Sequence, residues 1–185
     1  MPGDLSTPRL HLRPLAPSDE RLYCSLYTDP EVMRHVAEPL APDAAKRAFM
    51  AVMAQLSADP PKARYWVIRP RHGGHDVGLL ACLPDHDDAG SAELGVLLAD
   101  AAACRGYASE SIAALADVIF TQPGQRRLWA RHAPGNGPAL GLMRKLGFAS
   151  VEGSGSGSTQ LHWQLGRQAW IDRSRPAFAT PRANC

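Results

Sequence analysis

Glu93 is followed by an apolar run, Leu94, Val96, Leu97 and Leu98, and then by Ala103-Cys104-Arg105-Gly106-Tyr107-Ala108-Ser109. The run reads as a strand. Beyond Ser109, Ile112, Leu115, Ala116 and Ile119 recur at helical spacing, so the small-residue loop joins a strand to a helix start. Such a junction is suited to holding an anion. The first turn of a helix has N–H groups without intrahelical partners, and the macrodipole adds partial positive charge there. Gly106, lacking a Cβ, lets an anion approach the amides of Arg105 to Ser109 closely. Taken alone, the same residues fit an ordinary strand-to-helix connection. Glu93 reads either as a base acting through a water or as a surface carboxylate.

A second segment changes the balance. Asn136 can cap a helix, and Pro138 is tolerated in its first turn. Leu142 and Leu146 share a face, Arg144 and Lys145 suit the last turn, and Gly147 is a left-handed stop before Phe148. Together the two segments resemble the GNAT acyl-CoA N-acyltransferases, in particular the branch that includes the ribosomal-protein N-terminal acetyltransferases. That family's first motif, Arg/Gln-x-x-Gly-x-Gly/Ala, falls on Ala103 to Ala108. Its second falls on Asn136, the small Ala139, and Gly147-Phe148. Thr7 to Leu15 with Ser18-Asp19 resembles the branch's opening strand and first helix, Asp29-Pro30-Glu31 its second helix start, and Leu165 to Trp170 its closing strand.

The resemblance implies an α+β fold in one domain: a mixed, mostly antiparallel sheet flanked by helices, with a splayed central strand pair. The strand ending at Leu98 would part from the one ending at Ala133. It also implies direct acetyl transfer from acetyl-CoA, a cosubstrate, to an amine on a small molecule or a protein N-terminus, with no metal. In that arrangement Arg105, Gly106, Tyr107, Ala108 and Ser109 hold the pyrophosphate. Pantetheine runs along Val96, Leu97 and Leu98, pairing with the exposed backbone of Val96 and Leu98. Asn136 reaches pantetheine or orders the site, and Glu93 is the base. Tyr23, Tyr27, Met33 and His35 lie where the first helices overhang the acceptor, although plain packing or surface accounts better for each one singly.

Three positions depart from the family pattern. Ala103 stands where the first motif has Arg or Gln, with Arg105 the nearest substitute for that charge. Ala139 stands where the branch often has Ser, and Met143 where many members carry a Tyr acid. Two functions therefore follow: an acetyl-CoA-dependent N-acetyltransferase, or a CoA-binding regulatory module of the same fold without transfer activity.

The chain that positions these residues has 185 residues, 45% apolar and 21% charged, with a formal charge of +2. This balance gives no electrostatic footprint for nucleic acid and no membrane partner. Cys24, Cys82, Cys104 and Cys185 lack paired spacing, so reduced thiols and a cytoplasmic location are expected, as monomer or homodimer. Cys104 has no visible base and reads as a loop residue. The order of elements is strand, helices, three strands, helix, strand, helix, two strands. The domain is expected over residues 1–170, with 171–185 a basic tail, and Gly153–Ser158 a hairpin connection. The acidic run Asp85 to Asp88 reads as a solvated turn or as an attractor for a cationic acceptor.

Overall fold

A computed structural model describes residues 3–151 and 160–174. Leu10 and Leu12 alternate with His11 and Arg13, and strand β2 (Leu10–Pro14) buries the two leucines completely. A short strand β1 (Leu5–Ser6), without a sequence signal of its own, pairs antiparallel with it. Three helices follow: α1 (Glu20–Thr28), α2 (Pro30–Met33) and α3 (Pro42–Leu56). Asp29 starts α2 by accepting from the Glu31 N–H at 2.8 Å, with Pro30 in the first turn. Strands β3 (Arg64–Pro70), β4 (Gly78–Pro84) and β5 (Ser91–Leu98) form an antiparallel meander.

Helix α4 (Tyr107–Ile119) then crosses to β6 (Arg127–His132), which pairs with β5 in parallel. A parallel pair needs such a crossover, because a tight turn would return the chain antiparallel. Helix α5 (Gly137–Leu146), β7 (Ala149–Ser150) and β8 (Leu161–Gly166) complete an eight-stranded sheet ordered β1-β2-β3-β4-β5-β6-β8-β7. The expected α+β architecture is therefore present. Residues 152–159, including the expected hairpin connection, lie outside the described ones. Among the described residues, no helix is long and apolar enough to cross a membrane.

Strand alternation gives the sheet two faces, each with its own core. Trp66, Ile68, Leu80, Leu94, Leu128 and Ala130 pack with α4 residues Ile112, Leu115 and Ile119 on one side. Val67 and Leu79 pack with Tyr23, Leu26, Phe49 and Val52 of α1 and α3 on the other. On α3, Ala45, Phe49 and Val52 are buried, with Met53 and Leu56 at the margin of that core.

The C-terminal end differs from expectation. The closing strand stops at Gly166, and Arg167–Ser174 forms a helix, α6. Its Trp170 is buried in the α4-side core and donates its indole N–H to Asp117 Oδ1 at 2.8 Å. Helix α6 runs past Trp170, and residues 175–185 of the expected tail lie outside the described ones.

A partly buried ion-pair network ties the start of the chain to the sheet. Arg13 donates both terminal nitrogens to Asp19 at 2.7 Å, and Asp76 bridges Arg13 (3.0 Å) and Arg69 (2.7 Å). Burial acts to raise the Asp19 carboxyl, but the Arg13 hydrogen bonds, the Ala16 N–H and the Arg13 charge outweigh it and hold the group below its ordinary value. A depressed folded value means this stabilisation is complete above the unfolded carboxylate value, ~3.9, and is lost as pH falls through the folded one. Asp19→Asn is expected to cost roughly 1–3 kcal/mol at pH 7 and distinctly less near pH 3. Urea unfolding at the two pH values checks this, and an equal loss at both would remove the carboxylate from the account.

Candidate active site

The register of the central strands creates the site. Strand β5 pairs with β4 along its whole length, but with β6 only over Ser91 to Glu93. Strand β6 meanwhile stays paired with β8 as far as His132. From Leu94 onward, β5 and β6 therefore part. The Ala99 N–H donates to Val77 and the Asp85 N–H donates to the Ser91 carbonyl, so odd-numbered residues of β5 turn their backbone groups toward β4. By alternation, Val96 and Leu98 turn theirs into the gap, beyond the last rung with β6. This is a free strand edge, the kind that an extended chain completes. The splay expected at Leu98 and Ala133 is present, and it opens earlier, just past Glu93.

Loop 99–106 leads from that edge to the start of α4. Gly106 takes a left-handed conformation with φ 77°, and Cys104 does so with φ 59°. Gly106 has no side chain to cap α4, and the first intrahelical donor is Glu110, 3.1 Å from the Gly106 carbonyl. The amides before it, through Ser109, are left facing outward. The Ser109 hydroxyl turns back to the Gly106 carbonyl at 2.9 Å.

The loop is held from two directions that the sequence did not announce. Arg9 donates to the Arg105 carbonyl (3.1 Å), pairs with Glu110 (2.5 Å) and lies 5.4 Å over the Tyr107 ring. Burial pushes the Glu110 carboxyl up, but hydrogen bonds from Thr7 and Arg9 outweigh it and keep the group below its usual range. From the other side, Lys145 Nζ lies 3.2 Å from the Ser109 hydroxyl. Its place in the last turn of α5 suggested only a partner for the helix dipole. Its ammonium in fact stands beside Ser109, at the start of α4. The Arg105 side chain is exposed. Lys145 therefore supplies positive charge beside a motif whose first slot is Ala103.

A cavity of about 380 Å³ fills the parting of the strands. Its lining comes from both faces of the sheet: Tyr27, His35, Tyr65, Glu93 and Arg131 on the α1 side, and Ile112, His132, Ala139 and Met143 on the α4 side. The cleft thus passes through the sheet. Val96, Leu97 and Asn136 also line it. Asn136 accepts the Ala139 N–H at 3.0 Å, which leaves its side-chain NH2 as a donor at the cleft. Of the four residues expected to overhang the acceptor, Tyr27 and His35 reach the cavity. Tyr23 and Met33 are buried packing residues.

Glu93 sits opposite Trp129 in the last rung before the strands part. Its Oε1 lies 2.9 Å from Arg131 Nε, an ion pair with side-chain exposures of 21% and 47%. Arg131 also lies 5.7 Å from the Trp129 ring centre. Burial pushes the Tyr65 phenol up to about 12, with Tyr27 and the Glu93 charge adding to it. Burial raises Tyr27 as well. Met143 is buried in the cavity wall and carries no ionisable group.

His132 enters from the opposite face, 7% exposed and stacked on Trp163 at 6.0 Å. Its Nδ1 lies 2.7 Å from the Ala133 carbonyl, which can only accept, so Nδ1 carries a proton. Its Nε2 is buried and finds no hydrogen-bond partner among the described residues. Among those residues no group of acids, histidines or cysteines is arranged to hold a metal.

Comparison with known proteins follows the same residues. The acetyltransferase (GNAT) domain model matches residues 9–149. The chain is 28% identical over 145 residues to the uncharacterized N-acetyltransferase p20 of Bacillus licheniformis, covering 78% of this chain and 81% of that protein. Among solved structures, an acetyltransferase from Agrobacterium tumefaciens superposes with TM-score 0.75 at 23% identity, covering 89% and 95% of the two chains. Spermidine N-acetyltransferase from Vibrio cholerae, solved with CoA and spermine, superposes with TM-score 0.72 at 20% identity, covering 89% and 99%. These structures share the fold, and the domain match spans both motifs and the parted strands between them, so the chain belongs to the GNAT acetyltransferase family.

Proposed function

We propose that the chain is an N-acetyltransferase that moves an acetyl group from acetyl-CoA to a primary amine. The observation that carries this reading is the cleft's passage through the sheet. It joins a free strand edge on one side to a carboxylate-bearing pocket on the other. The residues fit a CoA thioester. Val96 and Leu98 offer unpaired backbone groups to an extended amide chain, Asn136 offers a side-chain donor, and the 105–109 amides with Lys145 suit a pyrophosphate. When bound, the thioester supplies an acyl group already activated toward an amine.

The chain's own work is positioning and proton removal. An amine entering between Tyr27, Tyr65 and Arg131 meets Glu93, whose carboxylate takes the ammonium proton through a water. The resemblance to ribosomal-protein N-terminal acetyltransferases suggests a protein N-terminus as acceptor, and the Vibrio enzyme's name suggests a polyamine. The test is steady-state acetyl transfer to a panel of primary amines beside direct acetyl-CoA binding. Transfer with saturation in both substrates is expected. Tight acetyl-CoA binding without transfer to any amine would support the regulatory-module reading instead.

A further inference from the structure

We infer that the acceptor is an α-amino acid, recognised as a zwitterion by Glu93 and Arg131. This rests on the N-acetyltransferase reading and names the substrate class of that same site. The two side chains stand on one face of the sheet, at the mouth of the cleft, with opposite charges in contact at 2.9 Å. A substrate that engages both must carry a cation and an anion equally close together. An α-amino acid does: its ammonium and carboxylate are separated by a single carbon.

Arg131 is equipped for the carboxylate. Its Nε lies against Glu93, and its two terminal nitrogens make no hydrogen bond among the described residues. The side chain is 47% exposed, so the planar fork that pairs two-pronged with carboxylates is open to the cavity. The Trp129 ring beside it limits where the guanidinium can swing. Room for the ligand exists because Gly95, on the same face of the neighbouring strand, puts no side chain there. A Cβ at Gly95 would meet only Ala81, at 3.9 Å. Glu93 then takes the ammonium, placing the amine at the end of the cleft where the strands part. Tyr27, Val36 and Tyr65 offer the side chain an apolar wall.

The same arrangement argues against a polyamine, which would bring a second cation beside a guanidinium. A peptide N-terminus lacks a carboxylate one carbon from its amine.

The test compares kcat/KM for L-methionine and L-leucine with their carboxamides, with spermidine and with a tripeptide. In the wild-type enzyme the free amino acid is expected to exceed its amide by about a hundredfold, because the amide leaves the fork without its charged partner. In Arg131→Gln that ratio is expected to fall to about one, whatever happens to the absolute rates. Lys at the same position should restore part of it. A wild-type ratio near one, or a preference for spermidine or the peptide, overturns the inference and leaves the N-acetyltransferase reading standing. No transfer to any of these or to a wider amine panel, with acetyl-CoA bound, overturns both.

Discussion

Glu93→Gln is expected to lower kcat by about 10²–10³-fold at pH 7, while acetyl-CoA affinity changes by no more than about twofold. An amine acceptor is mostly protonated at neutral pH, and only its free base attacks a thioester. Glu93 is the carboxylate at the point where the strands part, and glutamine keeps its shape and its contact with Arg131 while losing basicity. The deficit should be largest at low pH and narrow as pH approaches the acceptor's own value, where free amine becomes available unaided. The wild-type kcat should rise with pH and level off. Met143 cannot ionise, and the cavity phenol of Tyr65 is pushed up to about 12, so no phenol imposes a descending limb below about pH 11. The CoA thiolate, with a thiol value near ~8.5, departs with little help from an acid. Wild-type rates in Glu93→Gln across the pH range would assign the proton to another group.

Much of the fold was legible because its signals are local. The leucine alternation of β2, the Asp29-Pro30 start of α2, the apolar spacing of α4 and the left-handed Gly147 each act within a few residues. The start of α4 was legible for the same reason, whereas the parted strands were expected only from the family resemblance. What escaped notice depends on pairing between distant segments. Arg131 meets Glu93 only because β5 and β6 align in parallel, Glu93 against Trp129, so that alternation brings both to one face. Lys145 reaches Ser109 only once α5 packs beside α4. Tyr23 and Tyr27 are one turn apart, and their spacing could not say which would be core and which would reach the cavity. The closing helix α6 was missed because it is short and mostly polar, with Trp170 the one deeply buried side chain among its described residues.

Gly106→Glu is expected to weaken CoA binding by at least about a hundredfold while leaving a folded protein, and Gly106→Ala separates the causes. Gly106 has φ 77°, so any side chain strains the backbone by roughly 1–2 kcal/mol, a loss that both variants share. Neither creates a clash. A Cβ there would lie 3.4 Å from Arg9 Nη2 and 3.8 Å from the Ser109 hydroxyl, ordinary contact distances with movable groups. Those groups mark the rim of the anion site, so the added side chain points where a phosphate would sit. Alanine adds one methyl group and should cost only a few-fold in affinity. Glutamate adds a negative charge against the 105–109 amides and within reach of Lys145, which it would occupy in place of the ligand. Its deficit should therefore shrink as ionic strength rises, because screening weakens that repulsion. Calorimetric titration of CoA into the three proteins at low and high salt reads both effects, and urea unfolding confirms the shared strain. Unchanged CoA affinity in a folded Gly106→Glu protein would place the pyrophosphate away from the start of α4.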